Sequence, residues 1–452
     1  MAAATVQQRI CAQTPSGFVV RSIAAEAAEF WHSPGDTLLA SPGVPAITRR
    51  MESENSIGGG RPPMKPRLLC VVYGGGHFRA CAPVLAELHD RGWHVDLLAL
   101  TTAYRDAVAA DFEPWRVRDL LAAGDEEMLA LGRRLASAYP SNPQIDVEET
   151  AAYLAFGYAD LVAAHGEASA AAIYAERGRQ AFAPRTLAAR IITRASPDVI
   201  LTTNAPRAEK ATIDEAQARG IPAIVLNDLI ASPSNFWLHN PDYADRILVL
   251  NDAVRDRLIA SGHSPAKVVV TGNPAFASMI ALRAKRGLNS GTRPTAVLFA
   301  SQVLVKGELR LAQDTQNALH ALARRRPEWR VHVRLHPSES NQTDWIAAPL
   351  VHLTGLGLEQ ELELCDVLVT HGSTVAIEAA LAGIPVVQQL GSQLAAETRF
   401  DLLGIAVAST TPDDLERAIQ IALGKPPLGG VAMPHDPTTR VADEISRVFD
   451  AV

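Results

Sequence analysis

Three short segments of this chain bring histidine, hydroxyl and glycine residues together at spacings that can do chemistry. The first is VVYGGGHFRA, Val71–Ala80. An apolar run ends in Gly74, Gly75 and Gly76, His77 follows, and a helix is expected to begin near Arg79. Glycines there let the backbone approach a ligand, and the free N–H groups of a helix start favour an anion or a polar hydroxyl compound. An imidazole at position 77 is a candidate general base near neutral pH. The plainer reading is a tight strand-to-helix turn with a capping or packing histidine. The segment is neither G-x-G-x-x-G nor a Walker loop. The second segment is WRVHVRLHPSESN, Trp329–Asn341. In a strand, His332, Arg334 and His336 share the face opposite Val331, Val333 and Leu335. His336 falls at the strand end, before Pro337, where it can meet a phosphate oxygen. His332 and His336 would lie about 13 Å apart, too far to share one metal ion.

The third segment, CDVLVTHGSTVAIEAALAGIPVVQQL, Cys365–Leu390, is the most informative. A strand over Val367–Thr370 leads into His371-Gly372-Ser373-Thr374. A helix follows to Leu381, with Gly383 as its stop and Pro385 opening the next strand. Ser373 or Thr374 caps that helix, and the N–H groups beside it form an anion site. Glu378 lies four residues after Thr374 on the same helix face, where its carboxylate can take both hydroxyls of a ribose. An ordinary capped helix reads the same way; together with the His336-Pro337 segment the pattern favours nucleotide binding. Ser301, Gln302 and Lys306 follow another strand and line the same cleft. Asn204 and Arg207 fall at one strand end, Asp228 at the next, and Gly272-Asn273-Pro274 at a third. Asp228 is a second candidate base, its alternative being a helix-cap or turn aspartate.

Strand ends line up only if the elements that carry these residues form parallel sheets. Short apolar runs recur with helical stretches between them, the signature of sheets covered on both faces. Strands are expected near Leu68–Tyr73, Val95–Leu100, Val199–Thr203, Ala223–Asn227, Ile247–Leu250 and Val268–Thr271, with an Ala-rich helical region from Val147 to Ala195. After a basic, Gly- and Pro-containing stretch read as a linker, Leu282–Thr295, a second series follows. Its strands are expected near Ala296–Ala300, Arg330–Leu335, Leu350–Leu353, Val367–Thr370, Pro385–Gln389 and Ile405–Ala408. The fold class is therefore α/β, with two doubly wound domains facing a cleft. Residues 1–65 are expected to be a mobile, irregular extension, or in part a product of start-codon choice. Residues 66–285 form the first domain, which would hold an acceptor, and 286–452 the second, which would hold a nucleotide.

Composition agrees with that layout. Of 452 residues, 48% are hydrophobic, enough for two cores. With 42 basic and 49 acidic residues the net charge is −7, which gives no support for nucleic-acid binding. Four scattered cysteines without a C-x-x-C pair argue against a disulfide framework or a zinc site and for a reducing, cytoplasmic setting. No run of 18 apolar residues points to a membrane span, although a peripheral membrane association and the oligomeric state stay open.

The motifs resemble those of the two-domain GT-B superfamily of nucleotide-sugar enzymes over residues 66–450. VVVTGNPAF is similar to a segment of the UDP-N-acetylglucosamine 2-epimerases. GIPVV after an acidic helix is common to those epimerases and to bacterial surface-polysaccharide glycosyltransferases. The turn with His77 resembles the glycine-rich turn and histidine of the transferase that makes lipid II. His336-Pro337 and Ser373-Thr374 resemble motifs of bacterial sialyltransferases and their capsule relatives. That resemblance implies that His336, Ser373 and Thr374 hold the donor's phosphates and Glu378 its ribose. Where the epimerases carry their catalytic glutamate this chain has Asn227 and Asp228, and HGST replaces their DSGG. The resemblance thus implies group transfer from a nucleotide sugar to a saccharide or other hydroxyl acceptor; with no Asp-x-Asp in the sequence, no divalent metal or other cofactor is expected. His371, Gly372, Ser301 and Gln302 would join the nucleotide-sugar site, Gly74, Gly75 and Gly76 the acceptor-side loop, and His77 or Asp228 would be the base. An epimerase-like isomerase or hydrolase, and a non-catalytic nucleotide-sugar-binding protein, are the alternatives.

Overall fold

The computed structural model describes residues 65–138, 145–233, 235–288, 295–302, 308–336, 351–352, 356–393, 398–424 and 432–451. Residues 1–64 of the expected extension, Lys306 and Pro337 lie outside them. The first half runs β1 (Arg67–Val72), α1 (Gly75–Asp90), β2 (His94–Ala99), α2 (Thr102–Ala109), α3 (Glu126–Ala136), α4 (Val147–His165), α5 (Glu167–Arg177), α6 (Arg185–Ala195), β3 (Val199–Thr202), α7 (Ala208–Ala218), β4 (Ala223–Leu226), β5 (Arg246–Val249), α8 (Asp252–Ala260) and β6 (Val268–Val270). Helix α9 (Ala277–Leu288) leads to the second half. There follow β7 (Ala296–Ala300), α10 (Leu309–Arg325), β8 (Arg330–Arg334), β9 (Val351–His352), α11 (Leu358–Leu364), β10 (Val367–Thr370), α12 (Val375–Leu381), β11 (Val386–Gln389), β12 (Val407–Ser409), α13 (Leu415–Leu423) and α14 (Pro437–Asp450).

The twelve strands form two six-stranded sheets, ordered β2-β1-β3-β4-β5-β6 and β12-β11-β10-β7-β8-β9, parallel throughout. Each expected strand is present, with ends shifted by a residue or two. The continuous apolar runs are explained by burial on both faces. In β1, Leu69 and Val71 pack with Phe156 of α4 and Ile191 of α6, while Leu68, Cys70 and Val72 pack with Val84, Leu85 and Leu88 of α1. The expected Ala-rich helical region is three helices, broken at Gly166 (φ 76°) and Gly178 (φ 53°), conformations that cost glycine little.

Two boundaries differ from expectation. The stretch read as a linker from Leu282 is helical as far as Leu288, because Met279 and Leu282 are anchored in the core. Its basic residues are held as well. Arg286 donates to the carbonyls of Leu362 (2.9 Å) and Glu363 (3.0 Å) at the end of α11, where the helix dipole favours a cation. Helix α9 therefore crosses the expected 285/286 boundary. Helix α14 does not belong with the second sheet, as the 286–452 assignment implied. Its stripe of Val441, Ala442, Ile445 and Val448 packs in the same cluster as α1 and β1, Phe449 meets the Trp93 ring at 5.2 Å, and Arg91 pairs with Asp443 at 2.7 Å. An amphipathic stripe shows that a helix packs, not on which sheet. Among the described residues no helix is long and apolar enough to cross a membrane.

Candidate functional site

Both sheets reverse their winding next to a central strand: between β1 and β3 in the first, between β7 and β10 in the second. In open parallel sheets the crevice at such a switch point, beyond the carboxyl ends of the strands, is where ligands bind. The chemistry-bearing segments fall at these two places.

At the first, Tyr73 follows β1 and α1 begins at Gly75 with Gly74 as its N-cap, four residues earlier than expected. Glycine is a poor helix former, so the sequence hides the early start. His77 therefore lies in the first helical turn. A Cβ on Gly75 would stand 2.2 Å from the Asp106 Oδ2 of α2, which explains the glycine there by packing. Gly74 and Gly76 have open space where a side chain would be, so the backbone can be approached at those two positions.

His77 is one member of a three-group cluster. Its Nδ1 lies 3.0 Å from Glu209 Oε1, and its Nε2 lies 3.8 Å from Asp228 Oδ2. Glu209, near the start of α7, is fully buried. Its Oε1 also accepts from the Tyr73 N–H (2.7 Å), and its Oε2 accepts from the Thr203 hydroxyl (2.7 Å) and the Ala205 N–H (2.9 Å). Four donors hold one carboxylate, so Glu209 is fixed in place and stays a strong acceptor. The His77 side chain is 26% exposed and is the member of the cluster that faces outward.

The electrostatics follow from that geometry. Burial opposes the imidazolium, but Glu209 and then Asp228 outweigh it and raise His77 from 6.5 to about 9. Burial pushes Asp228 above the usual carboxylate range, against the pull of His77. Near neutral pH His77 is an imidazolium that faces the Asp228 carboxyl group at 3.8 Å, an ion-pair rather than a hydrogen-bond distance. Asp228 is oriented by its neighbours: Asn273 Nδ2 donates to its carbonyl at 2.8 Å. The Gly272-Asn273-Pro274 turn thus positions the Asp228 loop. The Asp228 Oδ1 is buried without a hydrogen-bond partner.

At the second switch point, Ser301 follows β7, His336 follows β8, and Ser373-Thr374 follow β10. The Ser301 Oγ accepts the His336 N–H at 2.7 Å, which ties the first two strand ends together. Gln302 is buried and donates from Nε2 to Ser392 Oγ at 3.2 Å. Ser373 and Thr374 are half-buried. Thr374 is the N-cap residue of the seven-residue α12 but makes no side-chain cap bond, while the Val375 N–H reaches Ser373 Oγ at 3.4 Å. Both hydroxyls retain capacity for a ligand. Glu378 lies in the first turn of α12.

The sequence pattern groups His371 with the nucleotide site, but its imidazole turns inward and is 1% exposed. Nε2 lies 3.0 Å from Thr315 Oγ1, and the ring meets Phe299 edge-on at 5.6 Å. Burial lowers it from 6.5 to about 4, so it is neutral in the folded chain. It is a packing residue whose side chain does not reach the crevice. Gly372 is buried beside it. Arg334, on the strand face expected to carry ligand groups, pairs with Glu361 at 2.7 Å. Among the described residues no group of three or more His, Cys, Asp and Glu side chains is arranged to hold a metal.

Sequence reasoning paired His77 with nothing and missed Glu209 entirely. In APRAEKATIDEAQARG the glutamate stands among charged residues and reads as a solvated helix face. The one available signal was its place just after a strand end, beside Asn204 and Arg207.

No protein-family model and no curated protein matches the chain. Solved structures do match. The UDP-GlcNAc 2-epimerase of Neisseria meningitidis bound to UDP-GlcNAc is 12% identical, with a TM-score of 0.54 over 84% of this chain and 100% of that one. MurG of Acinetobacter baumannii is 14% identical, with a TM-score of 0.51 over 84% and 99%. A kitacinnamycin glycotransferase is 16% identical, with a TM-score of 0.50 over 85% and 100%. At these identities the likeness is one of fold: the chain has the two-domain α/β architecture called GT-B, the fold expected from the sequence.

Proposed function

We propose that the protein is a glycosyltransferase that moves a sugar from a nucleotide-sugar donor to a hydroxyl of an acceptor. The observation that carries this reading is the His77–Glu209–Asp228 cluster, which provides proton-handling groups at one switch point while hydroxyl and helix-start groups gather at the other. The second sheet would hold the donor, with Ser373, Thr374, Ser301 and His336 at its phosphates and Glu378 at its ribose. The first sheet would hold the acceptor beside Gly74 and Gly76. The acceptor oxygen attacks the anomeric carbon, the bond from that carbon to the phosphate oxygen breaks, and the nucleoside diphosphate or monophosphate leaves with the bonding pair. Asp228 takes the hydroxyl proton, because burial raises its pKa and makes its carboxylate a stronger base than an ordinary one. His77, held by Glu209, keeps its charge beside the reacting oxygen and stabilises negative charge there. Helix-start N–H groups and His336 would receive the departing phosphate without a metal.

The epimerases among the solved neighbours support a second reading, isomerisation or hydrolysis of the donor sugar alone. One experiment separates the two and tests donor binding: thermal shifts with UDP, CMP, GDP and CDP and their sugar conjugates, followed by product analysis of the stabilising conjugate. The expected result is a shift with one base, lost in the Ser373→Ala/Thr374→Ala double variant, and negligible turnover until an acceptor is added. Rapid consumption of donor alone would favour the second reading. No shift with any nucleotide, in folded protein, would refute donor binding.

A further inference from the structure

Arg207 stands out among the buried arginines. It is 5% exposed, yet among the described residues no carboxylate lies within ion-pair distance of it. Several less buried arginines have one: Arg190 pairs with Asp125, Arg246 with Glu444 at 3.2 Å and Arg334 with Glu361 at 2.7 Å, while Arg257 and Arg286 donate to backbone carbonyls instead. A guanidinium stays charged at any working pH, and a buried charge without a counter-charge is costly. The surroundings offer aromatic rings and an amide oxygen in place of a carboxylate. The guanidinium lies over the Tyr73 ring, 5.0 Å from its centroid, and Nη1 donates to Gln180 Oε1 at 2.6 Å. Tyr153 lies beside it as well.

What remains unpaired here is of one kind. Arg207 Nε and Gln180 Nε2 are buried without a hydrogen-bond partner, and the buried Tyr153 hydroxyl, whose one near polar neighbour is the guanidinium, keeps its own proton to give. Each can donate, and the first two can do nothing else. The backbone adds a further sign of special use: Arg207 has φ 71°, a strained value for a residue with a Cβ. The location is fixed by Tyr73. Its ring carries the guanidinium while its N–H binds the same Glu209 oxygen that holds His77.

We propose that Arg207, Gln180 and Tyr153 form an oxyanion site on the acceptor side, which takes a carboxylate or phosphate group of the acceptor and fixes its hydroxyl beside Asp228. That the oxyanion belongs to the acceptor rests on the transferase reading; the existence of the site does not. The acceptor is thereby an acidic saccharide, a sugar phosphate or a comparable hydroxylated acid rather than a neutral one.

The test titrates the full chain with sodium phosphate and with sodium acetate at constant ionic strength, sodium chloride being the control. Thermal shift and calorimetry are read on wild type, Arg207→Gln, Tyr153→Phe and Ser373→Ala/Thr374→Ala. The site predicts that one of the two oxyanions binds, with affinity falling about tenfold or more in Arg207→Gln. Tyr153→Phe, which removes one hydroxyl and leaves the ring, should weaken it by a few fold and serves if Arg207→Gln fails to fold. The double variant at the other sheet removes any phosphate bound at the proposed donor site and should keep the Arg207-dependent part of the binding. Phosphate alone identifies a phosphorylated acceptor class, and acetate a carboxylate. Equal binding by wild type, Arg207→Gln and Tyr153→Phe, an effect no greater than that of chloride, or loss only in the double variant would each overturn the proposal. Nucleotide shifts on the same samples separate the two readings: if they fail in wild type the donor assignment falls, and the oxyanion result stands or falls by itself.

Discussion

His77 and His371 each follow a central strand at a switch point, each beside a glycine, and the folded chain treats them in opposite ways. His77 is raised to about 9 and partly exposed. His371 is lowered to about 4 and enclosed. The difference does not lie in the motif around either residue. It lies in what a distant segment delivers: Glu209, 132 positions away, reaches His77, whereas His371 meets Thr315 and the Phe299 ring. A histidine after a strand acquires a proton-handling role only when the fold brings it a counter-charge.

Removing the groups that distinguish the first histidine should have the largest effect. Asp228→Asn is expected to lower turnover about 10²–10⁴-fold with little change in nucleotide binding, as measured by steady-state kinetics and thermal shift. An equal loss of binding would show that Asp228 is structural. Next comes Glu209→Ala, which leaves His77 and three further donors without their acceptor. Urea unfolding should show a loss of about 3–5 kcal/mol, the range for breaking a buried ion pair from one side. A loss below about 1 kcal/mol, the size of a single net hydrogen bond, would mean that water replaces the carboxylate readily.

The opposite sheet should respond through binding rather than turnover. Ser373→Ala with Thr374→Ala is expected to weaken donor binding by about 1–3 kcal/mol, checked by calorimetry, while His371→Asn leaves donor affinity unchanged.

The two histidines also predict opposite pH limbs of stability. The folded pKa of His77 is raised, so its contribution is complete below about 6.5 and is lost as the pH rises through about 9. The folded pKa of His371 is depressed. The unfolded chain takes up that proton first, so stability falls as the pH drops from 6.5 towards about 4. Denaturation midpoints across pH should therefore flatten on the alkaline side in His77→Gln and on the acid side in His371→Asn. The same limb present in both variants would contradict the assignment.

These contrasts also mark what the sequence made legible. All twelve strands could be read, because parallel strands buried on both faces are continuous apolar runs that need no partner to be recognised. The strand-end positions of His77, Asp228, Ser301, His336 and Ser373-Thr374 followed from them. Partnership could not be read. Glu209 resembles its solvated neighbours along α7 until the sharp turn at Arg207 (φ 71°) points the helix start at β1. The inward turn of His371 depends on Thr315, on a helix 56 residues earlier. Helix α14 carries an evident apolar stripe, but its docking on the first sheet depends on contacts such as Phe449 with Trp93.

The central claim is that Glu209 makes His77 a charged partner of Asp228. The most direct test is an NMR titration of the histidine ring resonances, with His77 assigned by its loss in His77→Gln. The account predicts a midpoint near 9 in the wild type, shifted clearly towards 6.5 in Glu209→Gln. A His77 that titrates near 6.5 in the wild type, or that keeps its midpoint when Glu209 is neutralised, would contradict it.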